Sequence, residues 1–568
     1  MSSVLIMVVA FVGYIVAYHT YGKYLGSKIF NLSARNITPS HTLQDGIDYI
    51  PTHKQVIFGH HFASIAGTGP IVGPAIAIIW GWVPAMLWIF LGSIFMGAVH
   101  DLGTLVLSLR NQGQSMAEIT GKLMNNRLRL VFFFIIFLTL LIVIAIFGLI
   151  IAILFKMYPE SVFPVWIQIV IAVTLGFLVF KRGFGLVRST AVAVAVMYFT
   201  VVMGHYFPLL MPDIAGMPAT GVWTIILLIY AFVASTLPVN MLLQPRDYIN
   251  AWQLFIAMGL LVLGVLVSHP AVVAPAYNPS PEGAPDLFPF LFITIACGAI
   301  SGFHSLVSGG TSGKQVDTEP DARFVGYGSM LTEALLATVV IIAVAAGIGI
   351  HYTVGDGQVL TGVDAWNHQY ASWQAADGLG SKVAAFVAGA ANMLESLGIP
   401  TGIGLVIMGV FVASFAGTTL DTATRIQRYV IAELATDLKV PALSNRYAAT
   451  TLAVVTAAAL AFSNGASGNG ALVLWPLFGA INQLLAGLSL LVVSYYLKGR
   501  GGNYLLTLVS AVLVLGFTTW AMVLNLSEFL GNGNWACLAI GFVALCLNLW
   551  MMVETAVLFV RGKALAAA

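Results

Sequence analysis

Fifteen apolar runs long enough to cross a bilayer follow one another along the chain, at roughly 4–22, 57–82, 84–108, 131–155, 164–180, 186–208, 220–238, 250–268, 287–312, 325–350, 401–420, 446–463, 471–497, 503–524 and 535–560. In hydrocarbon every backbone N–H and C=O must be satisfied inside the protein, so such a chain folds as a bundle of helices. Composition agrees: 8% of residues are charged, against about 25% in soluble domains. The expected fold is all-α, a polytopic membrane bundle of about 15–18 transmembrane helices. The short, small-residue-rich segment 383–397 is read as re-entrant or interfacial, although two extra crossings nearby keep the same parity.

If the runs alternate in direction, one set of connecting loops should hold the lysines and arginines, because such loops resist translocation. Loops near 23–54, 110–129, 181–188, 246, 314–323, 425–446, 498–500 and 561–563 hold 22 of the 24; only Lys156 and Lys382 fall on the other side. The expectation is an amino end outside, a carboxyl end in the cytoplasm, and a first run that stays as a helix. The opposite loops differ in kind: 269–286 is proline-rich, and 351–381 carries Asp356, Asp364 and Asp377. They read as lids or connectors.

Two of the runs contain helix-breaking residues. In HHFASIAGTGPIVGP, His61 is followed six residues later by Gly67-Thr68; in GFHSLVSGGTSGK, His304 is followed six residues later by Gly310-Thr311. The charge map gives the two runs opposite directions, the pattern of an inverted repeat whose interrupted helices enclose a binding site near mid-membrane. Interruptions are expected within 60–74 and 298–313. Unwound N–H groups at a half-helix amino end attract a carboxylate, and unwound carbonyls with hydroxyls hold a cation. The expected substrate contacts are His61, Ser64, Gly67, Thr68 and Gly69 in one run and His304, Ser308, Gly309, Gly310 and Thr311 in the other. The competing explanation is that small residues let two helices pack closely.

The runs HHFASIAGTGPIVGPAIA, VHDLGTLVLSLRNQGQSM, SGFHSLVSGGTSGKQ, YGSMLTEALLA, TTLDTATRIQRY and LFGAINQLLAGLSL, spread from about residue 30 to 500, resemble the motifs of the carbon starvation protein A family. The resemblance implies a secondary transporter of the bacterial or archaeal inner membrane, taking up peptides or, in some members, pyruvate. It also implies an inverted-repeat fold like that of amino-acid/polyamine/organocation transporters. Thr68 stands where the family run usually reads alanine, and His100 precedes Asp101 where many relatives have glutamine. Both departures bear on substrate and coupling ion more than on fold.

Ionisable residues at membrane depth are functional candidates by default. Asp101 and Glu333 are expected to take part in proton coupling together with His60; the bland alternative for the carboxylates is bonding to a helix terminus, Lys314 or Arg110. Asp421 and Arg425, four apart at a helix end, read as an ion pair on one helix face or as a gate latch. Asn482 and Gln483 read as interhelical hydrogen-bonding amides. Glu395 and Glu554 lie near membrane depth without an assignable role. Cys297, Cys537 and Cys546 lack disulfide or metal-ligand spacing and read as small core residues.

No catalytic or nucleotide-binding signature occurs, so no enzyme activity, metal or cofactor is expected, and the small net charge of +2 argues against nucleic acid. The expected partners are the bilayer and a small solute. Proton symport leads; sodium symport, with Thr68, Ser308 and Thr311 as oxygen donors, and a channel are the alternatives. The expected organisation is one transmembrane domain, 1–568: an extra amino-terminal helix and loop at 1–56, repeats at 57–269 and 287–463, and carboxy-terminal helices at 464–568.

Overall fold

The computed structural model describes residues 2–354, 357–376 and 378–561; Asp356, Asp377 and Lys563 lie outside the described residues. In chain order the principal helices are α1 (Ser3–Ile29), the bent pair α2 (Lys54–Ala66) and α3 (Gly69–Trp80), α4 (Trp82–Leu109), α5 (Asn126–Met157), α6 (Pro159–Val179), α7 (Leu186–Tyr206), α8 (Ala219–Thr236) and α9 (Leu243–Ser268). They continue with α10 (Leu287–Thr294), α11 (Gly302–Gly310), α12 (Arg323–Gly347), α13 (Leu379–Glu395), α14 (Thr401–Asp437), α15 (Arg446–Ala461), α16 (Asn469–Gly499), α17 (Leu505–Gly531) and α18 (Trp535–Arg561). Twelve of these are long and apolar enough to span unaided, and the bent pair makes a thirteenth. The interrupted pair α10–α11 and the shorter α15 occupy the other two of the fifteen apolar runs.

Helix α13 covers 383–395 and does not cross. Near its start, the Ser381 carbonyl accepts from Gln369. At its other end Asn392 donates to the carbonyls of Gly347 and His351, at 3.0 and 2.6 Å, and Glu395 lies 3.5 Å from His351. Both ends therefore contact the 347–369 stretch, in keeping with a re-entrant or interfacial piece. At the opposite end of the bundle lie the lysine- and arginine-rich connections.

The first interruption follows from local chemistry. α2 stops at Gly67, and α3 restarts with Pro70 in its first turn, where the missing N–H costs nothing. The two halves meet at 42°. The second interruption spans 295–301, before α11, overlapping the expected 298–313, and α11 itself ends at Gly310 with Thr311 non-helical. Gly309 and Gly310 are helical and serve close packing: a Cβ on Gly310 would lie 2.8 Å from Ile426, and one on Gly309 3.0 Å from the Gln114 carbonyl. The repeated His-to-Gly-Thr spacing thus marks a helix end in both runs, but only in the first does a second half-helix follow at once.

The two real interruptions touch. A Cβ on Gly69 would stand 2.4 Å from the Cys297 sulfur, and one on Gly73 2.5 Å from the Thr294 carbonyl oxygen. Around them α3 packs on α12 and α11 on α4, while α5 and α14 pack side by side, a reciprocal arrangement of the two halves.

Candidate functional site: the meeting of two interrupted helices

Four elements deliver a chain of buried ionisable groups to this junction. In α4 a π-helical turn, Ser93–Gly97, directly precedes His100 and Asp101; in α12 another, Arg323–Gly328, precedes Glu333. Such turns re-aim the side chains that follow and recur at functional sites. The first packs on the second interruption, where a Cβ on Gly97 would lie 2.2 Å from the Ala299 carbonyl oxygen.

Asp101 accepts from His100 Nδ1 at 2.7 Å and from His304 Nδ1 at 2.8 Å, one bond on each carboxylate oxygen. The other nitrogen of His304, Nε2, stands 3.2 Å from Glu333 Oε2. His100, Asp101, His304 and Glu333 are all fully buried. Donor and acceptor chemistry restricts their protonation. If His304 donates Nδ1–H to Asp101, the Nε2 of the neutral ring is an acceptor. Nε2 and both Glu333 carboxyl oxygens have no hydrogen-bond partner among the described residues, so the contact is a close approach rather than a bond.

His61 and His60, neighbours on α2, leave the helix about 100° apart. His61 Nδ1 meets Ser312 Oγ at 2.7 Å, and His60 Nδ1 meets Asp247 Oδ2 at 2.5 Å. The structure therefore brings Asp101, His304 and Glu333 together and gives His60 a separate carboxylate. Arg110 turns away from Asp101 and binds Glu319 at 2.5 Å, excluding one of the bland alternatives.

The expected substrate contacts divide. Ser64 Oγ lies 3.0 Å from Thr422 Oγ1, and its carbonyl accepts from Thr419 at 3.1 Å, stitching α2 to α14 beside Gly67. Thr68 caps α3. Ser308, Gly309, Gly310 and Thr311 sit at the far end of α11, where the Thr311 hydroxyl donates to the Val307 carbonyl at 3.1 Å. Of the three hydroxyls foreseen for sodium, Ser308 and Thr311 share one end of α11 and Thr68 stands at the start of α3.

A cavity of about 560 Å³ runs from the end opposite the basic loops down to both interruptions. Its floor is Gly69, Gly73, Thr294 and Cys297, and Trp475, Phe478 and Lys382 line its wall. Of the ten expected contacts only Gly69 lines it. Lys382, on the non-crossing α13, is buried with its Nζ 5.6 Å from the Trp475 ring centroid. The signal for it was present in the sequence, as one of two basic residues off the basic face. The amino end of α11 is closed to a ligand by Asn482, whose Oδ1 accepts from Phe303 N–H at 2.9 Å. Gln483 donates to the Phe292 carbonyl at 3.1 Å, so both amides do interhelical bonding.

Asp421 and Arg425 do not pair. Asp421 is bound by Arg246 of α9 and by the Tyr230 hydroxyl at 2.7 Å. Arg425 instead reaches the Ala234 carbonyl at 3.0 Å, the Leu237 carbonyl, and Asp48 at 3.1 Å. The physical reason is that both are buried between helices, where a partner across the interface satisfies each charge more fully than a neighbour on the same face. Asp48, in the loop between α1 and α2, also accepts from Tyr429 at 2.6 Å. Burial alone would raise its carboxyl, but Lys314, Arg425 and Arg428 together hold it below the ordinary value. Glu554 accepts from Asn125 at 2.7 Å, and Glu395 is half-exposed beside His351. Cys537 is buried as expected, whereas Cys297 is partly exposed and Cys546 exposed; the latter two are not core residues.

Comparison with known proteins places this geometry. The family model for carbon starvation protein CstA matches residues 2–521. The peptide transporter CstA of Campylobacter jejuni is 32% identical over 96% of this chain and 83% of its own length. The pyruvate/proton symporter BtsT of Escherichia coli is 34% identical over 92% of this chain and 82% of its own. Among solved structures, a variant of the Eremococcus coleocola manganese transporter covers 90% of this chain and 99% of its own, with a TM-score of 0.50 at 11% identity; the likeness concerns fold alone. With a family model spanning most of its length, this chain belongs to the carbon starvation protein CstA family.

Proposed function

We propose that this protein is a secondary active transporter that takes up peptides or small carboxylates such as pyruvate by proton symport. The observation that carries the reading is the Asp101–His304–Glu333 chain, a proton-holding group buried beside the junction of two interrupted helices. The solute enters the cavity above that junction and meets Gly69 and the unwound segment around Cys297. Asp101 and Glu333 serve as coupling carboxylates: protonation of the His304–Glu333 contact neutralises it and lets the half-helices rearrange. Protons are favoured over sodium by the buried carboxylates and histidines gathered beside the junction.

The relatives' names, a peptide transporter and a pyruvate/proton symporter, support this solute range. In this reading 57–269 and 287–463 are the two repeats, and the basic loops face the cytoplasm, with the amino end outside. The membrane is the bacterial or archaeal cytoplasmic membrane, and the cavity faces out.

The test is uptake into proteoliposomes under an inward proton gradient, comparing labelled pyruvate with labelled L-alanyl-L-alanine, with and without sodium. Accumulation of either that collapses with a protonophore and is lost in Glu333→Gln supports the reading. Accumulation driven by sodium alone, or equilibration without accumulation, overturns it.

A further inference from the structure

The sequence pattern reserved the amino ends of the half-helices for a solute carboxylate, but neither end has a set of N–H groups to spare. At α11 the Asn482 Oδ1 takes the Phe303 N–H, the Ser301 carbonyl takes that of His304, and the Asn482 carbonyl packs on Gly302. At α3, Pro70 has no N–H, and those of Ile71 and Val72 both go to the Thr68 carbonyl, at 3.1 and 2.9 Å. That first turn keeps the Gly69 N–H, a partial charge set against a full one.

A full positive charge stands elsewhere on the cavity. Among the described residues that line it, Lys382 is the sole cation, and it is 3% exposed. Its Nζ lies 5.6 Å from the Trp475 ring centroid, and Phe290, Phe478 and Phe529 also line the space. In so apolar a setting an ammonium attracts an anion more strongly than in bulk water. It carries three N–H donors, so a solute carboxylate adds to the contacts Lys382 makes within the protein. Glu528, the other charged residue of the lining, is exposed and of the sign that repels a carboxylate. Asn525 lines the cavity too; it is 5% exposed, and its Nδ2 has no hydrogen-bond partner among the described residues. The unmet demand of this lining is thus for an acceptor.

The helix that carries Lys382 is firmly held and touches the interrupted one. α13 crosses α12 so closely that a Cβ on Gly389 would lie 2.1 Å from the Ala343 carbonyl oxygen, and Asn392 ties its far end to Gly347. It also packs on α14 and on α3, the half-helix that begins at Gly69. We propose that Lys382 binds the solute carboxylate, and so restricts transport to solutes in which that group is free. The proposal rests on the transporter reading above and is independent of the coupling ion.

The experiment is exchange of labelled solute in proteoliposomes without an imposed gradient, with pyruvate or L-alanyl-L-alanine as the label. The competitors are the unlabelled acid and its amide, pyruvamide or L-alanyl-L-alaninamide. In the native protein the acid should compete about tenfold better than the amide, as expected for a charge-assisted bond. Lys382→Met should raise KM for the acid by a similar factor and let acid and amide compete equally, whereas Lys382→Arg should keep the preference. Equal competition in the native protein, or a preference that survives in Lys382→Met, overturns the assignment. Should Lys382→Met not fold, Lys382→Gln takes its place; should neither fold, the native comparison of acid with amide decides. Absence of exchange with either label overturns the transporter reading for these solutes, while exchange that persists without proton-driven accumulation touches only the coupling.

Discussion

Asp421 pairs with Arg246 across the α14–α9 interface, although Arg425 stands four residues from it on its own helix. Both partners are buried, so removing either leaves a lone charge in an apolar interior, which costs about 3–5 kcal/mol. Arg246→Met should therefore lower the thermal midpoint of the detergent-solubilised protein sharply. Arg246→Met with Asp421→Asn should recover most of the loss, since no unpaired charge remains at that pair. A double-mutant cycle measures the coupling, and additive losses would show that the pair is not a unit.

Glu333 lies 3.2 Å from His304, so Glu333→Gln keeps the shape and removes the ionisable carboxyl. Accumulation driven by a proton gradient should disappear in this variant, while exchange of labelled for unlabelled solute continues at near the native rate. Counterflow in proteoliposomes separates the two. Loss of both together would mark Glu333 as structural.

Gly73 has no room for a side chain, because its added carbon would meet the Thr294 carbonyl, a backbone atom that cannot swing away. Gly73→Ala should force α3 from the second interruption, at about 1–3 kcal/mol of overpacking. The expected signs are a lowered midpoint and weakened solute binding by calorimetry. Gly259→Ala, in α9 with open space at its Cβ, should change neither.

Asp48 clasps the basic end through Arg425 and Tyr429. Its lowered carboxyl means that its contribution is fully present above about pH 4, the ordinary carboxylate value, and is lost only as pH falls through the lower folded value. Transport that changes between about pH 5 and 8 is thus not governed by this clasp. Asp48→Asn removes charge-assisted bonds each worth about 1.5–3 kcal/mol and should speed amide hydrogen exchange in the loop around it at neutral pH. Unchanged exchange would show that the loop is held elsewhere, for instance through Glu319, which binds Arg110 and Asn36.

The sequence by itself marked out the helical membrane bundle, the gathering of lysine and arginine into one set of loops, and the first interruption. Each of these is written in local chemistry: hydrophobic length, the placement of lysine and arginine, and a proline just past a glycine. It also singled out Asp101, Glu333, His60 and His304, because ionisable groups at membrane depth are rare enough to count. Only the tertiary structure decided who partners whom. Spacing suggested Asp421 with Arg425, yet a buried charge is satisfied by what faces it across an interface, and that was Arg246 for one and Asp48 for the other. Spacing likewise marked Gly310, where α11 ends, but the unwound stretch lies ahead of that helix at 295–301, and Ile426 fills the place of a Gly310 side chain. The division of His60 from the Asp101 chain was just as hidden, because it depends on which helices pack against two faces of α2, a matter of assembly that no local pattern encodes.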